Sequence, residues 1–349
     1  MKERTEQPQR SSAMSLGGQA LASVCLLLLA TCYAQGVLPA VLGAPFAVAL
    51  LSLLLLRGNP ILACLSAGAY AAVVTLTAPF FVFLISLCVL LGGSLLARGV
   101  RKREDRASLC VSLSLSAIFF ILLGVGCAVY LATPGIRASD VVPYLTEKLD
   151  AGMDSIASDA YAAFSRLAEV YEETGVKIVV PAPSELRTYL TRSLSLAPGW
   201  IVFSILALSL VATYLLQLLS LLTDKKEEEP LYPAECRVFR LGAMSAIVHL
   251  SVMVINFFYC DYSSVVSLTL LNAEAVLSPL FAFGGLGFLP RILHGMRRAE
   301  EGRAGYRVWF LLFILLCLMY VSYALLFFGV VYAISILKNA FFAQKGEKG

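Results

Sequence analysis

The stretch SLCVSLSLSAIFFILLGVGCAVYLA, residues 108–132, carries no charged side chain. A transmembrane helix needs about 20 such residues, so this run alone is long enough to cross a bilayer. Comparable apolar runs occupy residues 16–34, 40–56, 61–77, 80–97, 199–222, 241–259, 264–289 and 308–337. The aliphatic strings 26–29 and 53–56 show no face periodicity, as expected where lipid surrounds a helix. Backbone polar groups at that depth must be satisfied within the chain, which leaves helices as the sensible element. The expected fold is all-α: a polytopic transmembrane helix bundle of about eight or nine spans, with an amphipathic helical extracytoplasmic loop.

Composition agrees. Of 349 residues, 59% are hydrophobic and 14% charged, against about 45–50% and 25% in soluble globular domains. A disordered chain, a disulfide scaffold and an ordinary soluble enzyme are excluded. The net charge of +4 gives a nucleic-acid partner no support. Nine cysteines lie mostly inside apolar runs without a CxxC pair, which reads as buried free thiols.

The basic residues orient the bundle. With the N-terminus in the cytoplasm, internal segments hold 18 of the 27 Lys and Arg, among them Arg57, the cluster Arg98, Arg101, Lys102, Arg103 and Arg106, and the run from Arg291 to Arg307. The external turns near 34–39, 78 and 260–263 hold none. The expected location is the cell membrane, multi-pass, with a cytoplasmic N-terminus. The first run reads as an uncleaved span, because the chain becomes apolar again soon after Ala34. Residues 308–337 allow two readings: one crossing, or two half-helices folding back near Ser322 or Gly329.

Three regions follow: 1–132 with five spans, 133–198 as the external loop, and 199–349 as the C-terminal transmembrane region. In the loop, Leu145, Leu149, Met153, Ile156, Ala160, Phe164, Leu167 and Tyr171 recur at spacings of three and four, one face of a helix. A second short helix is expected from Ser184 as N-cap. Either the pair lies on the membrane or caps the bundle, or it forms a lid or docking surface.

Catalytic templates are missing. The chain contains no GxxxxGK[ST], HExxH or GxSxG motif, and its only histidines are His249 and His294. The expectation is no enzyme, no catalytic residue, no metal site and no cofactor. An intramembrane enzyme acting on a lipid-linked substrate would need several cytoplasmic-side Asp residues, and Asp105 and Asp224 are isolated ones. The informative residues are intramembrane and polar: His249 and Asn256 in the seventh run, Asn272 and Glu274 in the eighth. An ionisable group at the bilayer centre costs about 2.5–3.5 kcal/mol or more unless paired or hydrated, so it is expected to face the bundle interior. At about 1.5 Å per residue, His249 and Glu274 are expected at nearly the same depth. Pro279 should kink the eighth run, and Gly284-Gly285-Leu286-Gly287 allow either close helix approach or a local break. Gly18 and Ala22 form a small-xxx-small pair, and Tyr130, Trp200, Tyr306 and Trp309 read as an aromatic belt.

Several short features occur together: the Pro39–Pro45 stretch, Arg57-Gly58, the basic run 98–106, Ala197-Pro198-Gly199-Trp200, and Asn272 followed by Gly285-Leu286-Gly287. In this layout the chain resembles the YybS-like family of bacterial multi-pass membrane proteins. The resemblance implies a bundle loosely similar to substrate-capturing subunits of vitamin-type importers.

The functional expectation is therefore a small-solute binding or transport component. Its binding residues would be Glu274, Asn272, His249 and Asn256, and its partners membrane lipid, a small-molecule solute and a membrane or cytoplasmic partner subunit. The alternative is a non-transporting scaffold for envelope proteins.

Overall fold

A computed structural model describes residues 14–36, 40–77, 80–173, 175, 179–223, 232–237, 239–259, 264–286 and 321–346. Among these residues every regular element is helical. The α-helices are α1 (Leu16–Ala34), α2 (Ala40–Arg57), α3 (Pro60–Thr77), α4 (Phe80–Arg101), α5 (Arg106–Ala132), α6 (Val141–Glu173), α7 (Pro183–Thr223), α8 (Ala243–Phe258), α9 (Val265–Leu286) and α10 (Val321–Gly346). Seven of them, α1–α5, α7 and α9, are long and apolar enough to cross a membrane, and α8 and Leu326–Phe342 of α10 are shorter apolar helices. This is a multi-pass helical membrane protein.

The helix ends follow the sequence closely. Between α2 and α3, Pro60 takes the first helical position, where its missing N–H is no loss, and the Asn59 side chain accepts from Ile61 N at 2.9 Å. Beyond α1, Gly36 has φ +69°, a left-handed conformation that glycine adopts without strain.

The chain divides into two compact units: Met1–Val125 with Ser204–Arg240, and Gly126–Phe203 with Leu241–Gly349. In the first, α2 is the most enclosed span, with 61% of its length buried against 22% for α3. It packs on α4 where Gly92 and Gly93 leave room. A Cβ at Gly93 would lie 2.7 Å from Leu51 Cδ2. Beside it, Ser52 Oγ donates to Gly93 O at 3.0 Å. Small residues with one buried hydroxyl bond are how helices associate when lipid offers no hydrophobic drive. Between α1 and α3, Ser66 Oγ donates to Ser23 Oγ at 2.8 Å, and Ala22 packs with Leu54 and Ala63. At one end of the unit Arg57 donates to Thr223 O at 3.0 Å and Arg101 to Leu55 O, so both guanidinium groups serve carbonyls at helix C-termini.

In the second unit α8, α9 and α10 pack around Ala246, Phe281 and Ala333. The α9–α10 seam is a glycine contact: Gly284 meets the Tyr332 ring, Gly285 meets the Phe328 backbone, and a Cβ at Gly329 would lie 3.2 Å from Ala282 N. Of the two roles expected for the glycines, close approach is the one realised. α9 runs unbroken through Pro279, Gly284 and Gly285. Gly287 lies outside the described residues. α10 is likewise continuous through Gly329, so no fold-back occurs there. Ser322 stands at the first turn of α10, and residues 308–320, with His294, Tyr306 and Trp309, lie outside the described residues.

Two expectations for the external segment change. The second loop helix is not separate: α7 runs from Pro183 to Thr223 through Pro198. Its 41 residues correspond to about 60 Å of helix, twice the hydrocarbon thickness, polar over the first part and apolar over the rest. Nor does Ser184 cap it. Pro183 occupies the first helical position, and the Glu185 carboxylate reaches back to accept from Ala182 N at 3.1 Å. α6 does form over the expected amphipathic stretch. It touches the start of α7 through Arg187 Nε to Asp154 Oδ1 at 3.0 Å and through Met153, yet Leu149, Ile156, Phe164, Leu167 and Tyr171 remain exposed.

The seven described cysteines, Cys25, Cys32, Cys64, Cys88, Cys110, Cys127 and Cys236, are all free. Cys110 and Cys236 are buried, whereas Cys64 is exposed on α3. Cys260 and Cys317 lie outside the described residues.

Candidate functional site

α8 and α9 meet along a seam in the second unit. On α8, His249 and Asn256 are seven residues apart and so share a face; on α9, Glu274, Ser278 and Phe281 do the same at spacings of four and three. Across the seam Asn256 Nδ2 donates to Glu274 Oε2 at 2.6 Å. Asn256 is 7% exposed and Glu274 half-buried. Further along, the His249 ring stacks on Phe281 with centroids 4.4 Å apart and planes 10° from parallel, and the Tyr332 ring of α10 lies tilted against Phe281 at 6.0 Å.

The four expected residues are thus only partly assembled. Glu274 and Asn256 form a direct pair. His249 lies opposite Phe281, seven residues or about 10 Å along α9 from Glu274, and not at its depth. The depth expectation took the two runs to begin and end level with each other. Asn256, two residues from the end of α8, pairs with the tenth residue of α9, so the first turns of α9 extend past the end of α8.

Asn272 does something else. Two residues from Glu274, it lies on another face of α9 and turns to α7. Its Oδ1 accepts from Gly199 N at 2.7 Å, and its Nδ2 donates to Ser195 O at 2.8 Å and to Leu268 O at 2.9 Å. Ser195 and Gly199 are the two ends of the helical hydrogen-bond rung next to Pro198, whose ring carries no N–H and crowds the preceding turn. One carboxamide therefore serves both backbone groups of that rung. Gly199 is needed for the approach: a Cβ there would lie 2.8 Å from Asn272 O and 3.1 Å from the Ala275 methyl. Asn272 is a structural bridge between α9 and α7, with its donors and its acceptor occupied by the backbone.

Along the seam three buried polar atoms have no hydrogen-bond partner among the described residues: Asn256 Oδ1, Ser278 Oγ and His249 Nδ1. Such atoms are rare in native interiors and mark strain, a bound water or a ligand. Ser278 was not singled out by the sequence reading, although its place one turn after Glu274 was visible in the spacing. His249 itself is 1% exposed.

The first unit holds an apolar cleft of about 280 Å³ between α2, α4, α5 and α7, bordered by Pro45, Leu84, Gly92, Phe120, Gly124 and Ile205 among others. Its few polar side chains are already engaged. Ser116 Oγ donates to Leu113 O at 2.8 Å, and Ser209 takes the Ser114 hydroxyl at 3.1 Å. This cleft suits hydrocarbon and offers nothing to a polar solute. Of the two sites, only the α8–α9 seam has groups that could recognise one. Compared with protein-family models, curated proteins and solved structures, the chain matches none.

Proposed function

We propose that the protein is a small-solute binding or transport component of the bacterial cytoplasmic membrane, N-terminus inside, with its polar site in the α8–α9 seam. The observation that carries this reading is the Glu274–Asn256 pair in a seam of apolar helices where Asn256 Oδ1, Ser278 Oγ and, further along, His249 Nδ1 have no partner among the described residues. A buried donor or acceptor left unsatisfied costs about 1–3 kcal/mol, and a seam built only for packing would be cheaper with alanine or valine at those positions. A hydrogen-bonding solute, or the water chain that accompanies a proton, would satisfy them. Glu274 supplies the charge, Asn256 orients it, and Ser278 and His249 extend the polar line toward Phe281. Asn272 supports the site by fixing α9 against α7 without contacting the solute.

The chain acts in this reading as a binder and not an enzyme, without a cofactor and with membrane lipid around it. No nucleotide-binding motif is present, so energy would come from an ion gradient or from a partner subunit docking on basic segments such as 98–106.

The test is a solute screen by thermal unfolding of the full chain in detergent, repeated on Glu274→Gln. A solute that raises the melting temperature of the wild type should bind the variant about tenfold more weakly or less, because a charged hydrogen bond is replaced by a neutral one. Equal binding by both proteins would remove Glu274 from the site. The scaffold reading rests on the exposed apolar face of α6. It would gain if no solute stabilised the protein and envelope proteins co-purified only while Ile156, Phe164 and Leu167 were intact.

A further inference from the structure

α5 begins at Arg106, and the way this residue is held differs from its basic neighbours. Arg57 and Arg101 donate to helix-terminal carbonyls, and Arg103 lies 3.7 Å from Glu235 at the surface. Arg106 is 3% exposed, yet none of the described carboxylates forms an ion pair with it. The acid next to it in sequence is engaged elsewhere: Asp105 caps α5, with Oδ2 accepting from Ala107 N at 3.1 Å and Oδ1 from Ser108 Oγ at 2.7 Å. Arg106 Nη2 donates to the neutral Gln217 Oε1 on α7. Its guanidinium carbon sits 3.9 Å from the centre of the Tyr214 ring and 5.8 Å from that of Tyr232. Among the described residues Arg106 Nε has no hydrogen-bond partner, and neither does the Tyr232 hydroxyl, although Tyr232 is fully buried.

Enclosing a cation costs several kcal/mol unless an opposite charge or full hydrogen bonding offsets it. Two aromatic rings and one amide oxygen offset part of this through cation–π attraction and one hydrogen bond. The Tyr232 hydroxyl feels the guanidinium as well: burial pushes its pKa up to about 12, with Arg106 pulling the other way. It therefore stays protonated and able to donate at neutral pH. A positive centre with the Arg106 Nε–H and the Tyr232 O–H beside it makes up a donor set for an anion with at least two acceptor oxygens. Arginine matches phosphate in this way through its planar fork.

We propose that Arg106, with Tyr232 and Gln217, binds a phosphate group at this end of the first unit, as free phosphate or as the headgroup of an anionic lipid. The site lies in the unit that does not contain Glu274, so it stands or falls independently of the solute site. The experiment uses the full chain purified without phosphate. One arm titrates inorganic phosphate in detergent. The other compares nanodiscs of phosphatidylcholine with nanodiscs of phosphatidylcholine and phosphatidic acid. Thermal unfolding is the readout, and Tyr232→Phe and Arg106→Lys are the variants. Tyr232→Phe keeps the ring against Arg106 and removes only the donor, so folding is preserved even if Arg106→Lys fails to assemble. The expected result is stabilisation of the wild type in at least one arm, with binding about tenfold weaker in Tyr232→Phe. A response to inorganic phosphate identifies the free anion. A response to phosphatidic acid alone identifies the headgroup. No stabilisation in either arm, or equal stabilisation of wild type and Tyr232→Phe, would overturn the proposal.

Discussion

Asn272→Leu is expected to destabilise the protein by about 2–4 kcal/mol in a denaturing-detergent titration, with no solute present. Leucine removes the carboxamide that accepts from Gly199 N and donates to Ser195 O, leaving both backbone groups beside Pro198 without those partners. Each unsatisfied buried group costs about 1–3 kcal/mol. Hydrogen bonds between membrane helices average only about 0.6 kcal/mol, because the separated helices find other partners. That average describes side chains that can turn elsewhere. The Gly199 N–H and Ser195 C=O are fixed in the turn that the Pro198 ring crowds, which hinders them from closing their own rung, and lipid offers nothing in exchange. Glu274→Gln should stay close to wild type in the same titration, since a carboxamide can still accept from Asn256. A loss below about 0.5 kcal/mol for Asn272→Leu, within the range of an unremarkable surface change, would show that the bridge does not hold α9 to α7.

Gly285→Ala is the second large effect. The added Cβ would lie 2.6 Å from the Phe328 carbonyl carbon and 2.9 Å from the Phe328 Cβ, so the α9–α10 contact must open. Overpacking of this kind costs about 1–3 kcal/mol. The upper part of that range applies here because the obstacle is backbone and cannot rotate away. Gly126→Ala is the matched control: it too lies inside a helix, and a Cβ there meets nothing within 4 Å. Relief of glycine's conformational freedom should make that change neutral or stabilising by up to about 1 kcal/mol. Thermal unfolding of the two variants side by side checks this. Equal behaviour would mean that the seam between α9 and α10 is looser than a glycine contact.

Much of the fold was legible because the bilayer imposes one rule on every span. The start of α1 at residue 16, of α2 at 40 and of α4 at 80 could be read directly, and Asn59 with Pro60 marks the start of α3 in letters alone. The candidate site was legible only as an inventory. His249, Asn256, Asn272 and Glu274 stood out because polar groups are rare in such runs, but their partners did not. Two positions decide whether neighbours share a face: Asn272 and Glu274 point to different helices, and this could have been anticipated from the helical turn. That Asn256 and not His249 meets Glu274 depends on how far α9 overshoots α8, which no spacing within one helix contains. Ser278 and Arg106 escape such a reading for a related reason: an ordinary serine and an ordinary arginine become informative only once their surroundings are known.

The amino-acid sequence by itself determined that this chain spans a membrane as helices, roughly where each begins, and which polar residues had to be hidden from lipid. Those are consequences of local chemistry, since a long uncharged run has one low-energy state in hydrocarbon whatever its neighbours are. Tertiary structure alone decided that α7 continues through Pro198, that Asn272 is a brace while Glu274 is a candidate ligand, and that Arg106 is a buried cation with no ion pair to any described carboxylate. Each of these is a matter of helix register and approach. Where lipid is as apolar as leucine, those are set by small residues and a few hydrogen bonds between helices distant in the chain.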